Sequence, residues 1–197
     1  TAPENSVPTT RRKSFMSSKP NAYDLHCFIE QHKQPGDILY SVVDAAKDYR
    51  LALASRDILG EPLRPLFIKA PRHMDRVGPY MARIQCTNRY PDYMKLWADR
   101  LGDNAGILLL SSAWPQAIRS HLRSIFKVYD ERGTMFYFRY YDPRVIRTYL
   151  PTCTAKECRQ FFGPVRSYLV EGEEPGAMLR YRAGQSAVQV DSDLIPV

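Results

Sequence analysis

Residues 136–165, FYFRYYDPRVIRTYLPTCTAKECRQFFGPV, carry the strongest structural signals in this chain. Aromatic side chains alternate on both faces of the stretch 134–141, a pattern typical of a central strand covered on two sides. We therefore expect a buried strand here, with Arg139 partly buried within it. A buried guanidinium needs a carboxylate or carbonyl partner. The candidates are Asp44 and Asp142, each at the end of a predicted strand.

Two helices are predicted directly after this strand. Asp142 followed by Pro143 is typical of a helix start, because the carboxylate caps the helix and proline suits its first turn. Residues 154–157, TAKE, form a capping box for a second helix, and Gly163 with Pro164 predicts its end. Ionic networks more often fix a structure than perform chemistry. We therefore interpret one set of residues as a structural signature rather than an active site: Asp44, Arg139, Tyr141, Asp142, Pro143, Arg144, Phe162, Gly163 and Pro164.

The pattern along the whole chain is strand, helix, strands, helix, strand, helix, hairpin and helices. It favours the α/β (α+β) class, with a single mixed β-sheet covered by helices and a C-terminal strand–helix–helix unit. The spacing of apolar residues further predicts helices over residues 21–33, 48–55, 90–101 and 116–127. It predicts strands over residues 38–44, 63–68, 79–84, 105–111 and 178–182, and a hairpin that joins residues 127–129 to residues 134–141.

The length of 197 residues is enough for one domain with a sizeable core. Residues 1–20 are rich in Pro, Ser and Thr and are predicted to be a flexible N-terminal arm. The α/β domain then covers residues 21–170, and residues 171–197 form a C-terminal extension. The sequence holds no apolar run of membrane-spanning length and no signal-peptide pattern. We therefore expect a cytoplasmic protein whose four cysteines are free thiols.

Composition leaves two classes of function open. The net charge of +7 favours anionic partners, so a basic nucleic-acid-binding module is the alternative function, although no basic stripe with interleaved aromatic residues is present. A Gly-x-Ser-x-Gly nucleophile motif is missing, and the spacing of Cys153 and Cys158 is not that of a usual zinc site. We therefore expect no catalysis, no metal and no cofactor. The 13 Tyr and 8 Phe residues favour a protein interface.

Several segments of the chain resemble a known protein family in their order and spacing. These segments are residues 38–44 followed by Tyr49 and Arg50, WADRLGDNAGILLLSS at 97–112, the helix around residues 121–123, FRYYDPRV at 138–145 and FFGPV at 161–165. The chain is similar in them to the effector adaptor/chaperone family of bacterial type VI secretion, which is known as domain of unknown function 4123.

The resemblance implies a cytoplasmic, non-catalytic adaptor that binds a toxic type VI effector and helps load it onto the VgrG spike protein. Membranes and nucleic acid are not expected partners. Typical members of the family carry a second, mostly helical lobe, whose place is taken here by residues 171–197. We predict Trp114, Arg119 and Arg123 as partner-binding residues, and the two arginines lie outside the apolar stripe of the helix 116–127.

Overall fold

A computed structural model of the protein describes residues 20–60, 64–67, 77–184 and 188–194. Most of the predicted N-terminal arm (residues 1–19), and the ends of the predicted strand 63–68, lie outside these residues. The helices are α1 Ala22–His32, α2 Tyr49–Leu59, α3 Tyr90–Ala98, α4 Pro115–Ser124, α5 Pro143–Tyr149 and α6 Ala155–Phe162. The strands are β1 Ile38–Asp44, β2 Arg64–Pro65, β3 Pro79–Ile84, β4 Gly106–Ser111, β5 Lys127–Tyr129, β6 Met135–Tyr137, β7 Ser167–Glu171, β8 Ala177–Ala183 and β9 Val188–Leu194.

The helix starts follow from side chains that cap them. Asn21 accepts hydrogen bonds from the first turn of α1 in a capping box, and Asp48 caps α2. Asp142 caps α5 with Pro143 in its first turn, while Thr154 and Glu157 form the capping box of α6. Such caps satisfy backbone N–H groups that have no partner inside the helix. These predicted helix starts are therefore confirmed.

Seven of the described strands form one sheet, in the order β2-β3-β1-β4-β7-β8-β9. The predicted α+β class is confirmed, but the expectation of a mixed sheet is wrong. Each pairing between strands of the described residues is antiparallel. A helix that joins two strands is typical of a parallel crossover. In this sheet, by contrast, neighbouring strands run in opposite directions although helices connect several of them.

Helices cover the sheet on both faces, so the sheet is the middle of three layers. In β1, Leu39 and Val43 face a core built with α1, α2 and α3, while Tyr40 and Val42 face a second core built with α4, α5 and α6. The buried hydroxyl of Tyr93 on α3 joins the first layer to the sheet. It lies 3.0 Å from Ser41 Oγ of β1 and 2.6 Å from Ser55 Oγ of α2. None of the described helices is long and apolar enough to cross a membrane.

The stretch 134–141 differs from its prediction. β6 ends at Tyr137 and pairs with β5 in a separate two-stranded sheet, whose residues are all exposed. The Phe138 N–H then donates to the Phe126 carbonyl at 2.9 Å, and the chain turns so that Tyr140 and Tyr141 enter the core. The prediction of a buried central strand was wrong, because aromatic alternation on both faces fits a projecting hairpin equally well. The predicted hairpin itself is confirmed.

The C-terminal strands continue the main sheet. β7 pairs with β4 on one side and β8 on the other, and β9 pairs with β8. The strand predicted over residues 178–182 is confirmed as β8, whereas β7 and β9 were not predicted. The predicted boundary after residue 170 falls within β7, and residues 171–194 include strands of the same sheet.

Gly163 ends α6 with φ 47° and ψ −119°, a conformation that residues with a side chain rarely adopt. A Cβ at this position would lie 2.4 Å from Cε1 of His121. The ring of His121 is held in place, because its Nε2 lies 2.8 Å from the Phe161 carbonyl oxygen. His121 is therefore half-buried between α4 and the end of α6.

Substitution of Gly163 tests this junction. We expect Gly163→Ala to lower the free energy of unfolding by roughly 1–3 kcal/mol through backbone strain, with a further loss from displacing His121. The measurement is equilibrium denaturation. Gly60→Ala is the matched control, because Gly60 also has a positive φ of 66° but nothing lies within 4 Å of an added Cβ. Equal losses in the two variants would contradict the proposed role of the His121 contact.

Candidate partner-binding surface

The signature residue Asp44 lies fully buried at the end of β1. Its Oδ2 accepts a hydrogen bond from Arg139 Nη2 at 2.7 Å, and its Oδ1 accepts one from the Ala46 N–H at 3.1 Å. The Arg139 guanidinium also lies 5.8 Å from the centre of the Tyr141 ring. Of the two predicted candidates, Asp44 is the partner that Arg139 binds most closely, and the Arg139 side chain is partly buried as predicted, with about half of it exposed.

The second signature carboxylate, Asp142, is also buried. Arg144 donates to it through both Nε (3.0 Å) and Nη2 (2.7 Å), and the Arg144 N–H donates to the same carboxylate at 3.1 Å. Burial favours a higher pKa for Asp142, but the hydrogen bonds and charge of Arg144 outweigh it and lower the pKa below the usual value. Arg139 Nη2 lies 3.8 Å from Asp142 Oδ2, so both carboxylates belong to one cluster.

The remaining signature residues join α6 to the rest of the second core. Phe162 is buried there, and the carbonyl of Pro164 accepts a hydrogen bond from Ser111 Oγ of β4 at 2.6 Å. Together with Gly163 against His121, these contacts tie the end of α6 to both α4 and β4. The signature residues therefore make contacts between elements of the fold.

Residues 127–137, which we call the aromatic hairpin, contain five of the eight large apolar side chains that are exposed among the described residues. The exposed fractions are 66% for Tyr129, 51% for Phe136, 51% for Tyr137, 42% for Val128 and 39% for Met135. Val128 pairs directly with Phe136 and Tyr129 pairs with Met135 across the two strands. Because successive side chains of a strand point to opposite faces, Val128 and Phe136 share one face of the hairpin, and Tyr129, Met135 and Tyr137 share the other. Isolated exposed apolar side chains are ordinary, but five of them in one short hairpin mark an interaction surface.

Contacts at both ends hold the aromatic hairpin in a defined conformation. At the tip, Asp130 Oδ1 accepts hydrogen bonds from the N–H groups of Arg132 (2.9 Å) and Thr134 (2.7 Å). At the base, the Tyr137 ring lies 5.6 Å from the ring of Phe67 and 5.2 Å from that of Phe126. The hairpin is therefore attached to the second core while most of its own surface faces solvent.

A second surface feature, which we call the basic cleft, lies between α4 and β2. Its volume is about 410 Å³, and it is lined by Arg64, Gln116, Arg119, Ser120, Arg123 and Ser124. The structure thus brings the predicted residues Arg119 and Arg123 together and adds Arg64, which sequence analysis missed. Trp114, the third predicted residue, precedes α4 and is 70% exposed. Their role in partner binding stays a prediction.

Backbone carbonyls hold the two helical arginines of the basic cleft. Arg119 Nη2 donates to the Pro65 carbonyl at 3.1 Å. Arg123 donates through Nε to Leu66 (3.2 Å) and through Nη2 to Pro65 (3.0 Å) and Phe67 (3.1 Å). α4 thereby connects the two features, because the cleft lies along one face of this helix and the aromatic hairpin begins three residues after its end.

The charged cluster can be tested through Asp142. Asp142→Ala removes the cap of α5 and the partner of Arg144, so we expect the free energy of unfolding at neutral pH to fall by about 1–2 kcal/mol. Folding lowers the pKa of Asp142. Its contribution is therefore present above the ordinary aspartate pKa of about 4 and is lost as the pH falls through the lower folded-state value. The difference between wild type and variant should narrow over that acidic range in urea denaturation.

Asp57→Ala is the control for this experiment. Asp57 pairs with Arg56 at the surface, where both side chains are more than half exposed, and such pairs contribute little. We expect the control to change the stability by less than about 0.5 kcal/mol. A stability difference for Asp142→Ala that stays constant into strong acid would contradict the assigned role of its carboxylate.

Comparison with known proteins gives one match. A family model described as a domain of unknown function (DUF4123) matches residues 39–160, which is 122 of the 197 residues. No curated protein and no solved structure matches the chain. The matched range begins in β1 and ends in α6, so it contains the Asp44 cluster, α4 and the aromatic hairpin. The chain therefore belongs to the DUF4123 family, whose domain is associated with adaptors of type VI secretion effectors.

Proposed function

We propose that this protein is a cytoplasmic, non-catalytic adaptor that binds a type VI effector and helps load it onto a VgrG-type spike protein. The aromatic hairpin is the observation that carries the proposal. Aromatic residues and Met are enriched in protein interfaces, and the hairpin exposes Tyr129, Met135, Phe136 and Tyr137 to solvent. Membership of a family associated with effector adaptors supports the choice of partner.

The preformed geometry of the aromatic hairpin suits binding. Aromatic side chains have few rotatable bonds, and the hairpin backbone is already held by Asp130 at its tip and Tyr137 at its base. Little conformational freedom is then lost when a partner covers the rings, which favours affinity. The effector would contact both faces of the hairpin, with Val128 and Phe136 on one face and the exposed ring of Tyr129 on the other.

The carboxylates of the signature cluster support a binding role rather than a catalytic one. Asp44 accepts hydrogen bonds from Arg139 and Ala46, and Asp142 accepts them from Arg144. Carboxylates held in this way stabilise the junction of β1 and α5. The four cysteines are unpaired, which is typical of proteins in a reducing cytoplasm.

The proposal is tested by co-purification with the effector and the spike protein encoded beside this chain. In the variant Tyr129→Ser/Phe136→Ser, two exposed rings are lost, and neither makes an aromatic ring contact among the described residues. We expect effector capture to fall by at least about tenfold, since aromatic residues are frequent hot spots of interfaces. The melting temperature should stay close to that of the wild type.

Tyr23→Ser is the matched control for surface aromatics. Tyr23 lies on α1 and is 72% exposed, and α1 packs against the opposite face of the sheet from the second core. This variant should capture the effector as the wild type does. If the wild type associates with neither effector nor spike protein, the proposed function is wrong. If the hairpin variant captures the effector normally, the hairpin is not the binding surface.

A further inference from the structure

The basic cleft concentrates positive charge, and its lining within the described residues contains no carboxylate. Elsewhere in the fold, arginines such as Arg100 and Arg166 pair with Asp48 and Asp37. Within the described part of the chain, none of Arg64, Arg119 and Arg123 forms an ion pair. Three guanidinium groups therefore share one cleft and repel each other, which raises the free energy of the unoccupied cleft.

Two of these guanidinium groups are held ready for an additional acceptor. The carbonyls of residues 65–67 fix Arg119 and Arg123 by hydrogen bonds but carry no net charge. A guanidinium has five N–H donors, and the Nη1 groups of both arginines make no hydrogen bond among the described residues. Donors fixed in this way lose little freedom when an anion binds.

The electrostatics of Arg119 agree with this geometry. Burial, followed by the positive charges of Arg123 and Arg64, lowers the pKa of Arg119. An anion in the cleft would offset this repulsion, and carboxylates match the planar fork of arginine best when two oxygens bind side by side. The hydroxyl group of Ser120, which also lines the cleft, supplies a further donor, whereas that of Ser124 already donates to the His121 carbonyl at 2.7 Å.

We propose that the basic cleft binds an acidic, extended segment of a protein partner, which is the effector if the proposed function holds. The lining face of α4 runs from Gln116 to Ser124, a distance of about 12 Å at 1.5 Å per residue. An extended segment of about four residues covers that length. Because β5 begins three residues after α4, apolar residues that follow the acidic segment reach the aromatic hairpin.

The surroundings of the cleft favour a protein segment over a nucleic acid. A phosphate backbone requires positive charge along a continuous path. The aromatic hairpin next to the cleft carries two exposed acids, Asp130 and Glu131, and two exposed bases, Lys127 and Arg132, so it does not extend the positive charge of the cleft into such a path. A protein segment requires acidic residues only over the length of the cleft, and apolar residues beyond it.

The test measures fluorescence anisotropy of a labelled peptide of eight glutamates with the purified full chain, at about 50 and 200 mM NaCl. The variant is Arg64→Glu, because the Arg64 side chain makes no hydrogen bond within the described residues and its replacement leaves the contacts of Arg119 and Arg123 intact. We expect the peptide affinity at the lower salt concentration to fall at least about tenfold. Arg159→Glu is the matched control, because it makes the same charge change at an exposed position on α6. It should change the affinity less than about twofold.

Several outcomes overturn the inference. One is an equal loss of peptide affinity in Arg64→Glu and Arg159→Glu, which would indicate that the net charge of the protein alone attracts the peptide. Another is that the wild type does not bind the peptide. Tighter binding of a labelled single-stranded oligonucleotide, with the same dependence on Arg64, would assign the cleft to nucleic acid.

Co-purification of the effector with the wild type and with Arg64→Glu separates this inference from the proposed function. Equal effector capture by wild type and Arg64→Glu would refute only the cleft, whereas no capture by the wild type, with peptide binding that still requires Arg64, would refute only the adaptor function.

Discussion

The buried carboxylate of Asp44 is the constraint on which the rest of the structure depends. It lies at the end of β1, which pairs with β3 on one side and β4 on the other. A buried charge without a partner is strongly unfavourable, and its partner Arg139 comes 95 residues later in the chain. Because Arg139 lies between β6 and α5, this ion pair fixes the position at which the chain re-enters the core after the aromatic hairpin. That position determines where α5 begins and, through α5, where α6 lies.

The same constraint explains how charge is distributed over the molecule. Carboxylates such as Asp37, Asp44, Asp48 and Asp142 are used in pairs with arginines that hold elements of the fold together. The chain has 28 basic and 21 acidic residues, so positive charge is in excess. A surplus spread over the surface would be screened by salt. Part of it is instead gathered in the basic cleft, where the partial burial of Arg64, Arg119 and Arg123 weakens the screening.

Local signals in the sequence were sufficient wherever neighbouring residues decide the structure. The helix starts at Asn21, Asp48 and Asp142 belong to this group, because the capping side chain and the backbone N–H groups that donate to it lie within one turn. The sequence was insufficient wherever contacts between distant segments of the chain decide the structure. The alternation over residues 134–141 shows that both faces are apolar, but whether a layer of the fold covers them depends on contacts with Phe67 and Phe126. Arg64 was missed for a similar reason, since β2 meets α4 only in the folded chain.

The aromatic hairpin is hard to explain by stability alone. A two-stranded hairpin is at best marginally stable in water, and exposed strand edges and aromatic rings invite aggregation. A polar residue in place of Phe136 would remove part of that liability without loss of a described ring contact. The anchoring side chains Asp130 and Tyr137 hold the hairpin in position without covering it. A structure that fixes an apolar surface and leaves it open to solvent is favourable when a second protein covers that surface. The basic cleft lies along α4, which leads into the hairpin, and would give such a partner a defined orientation.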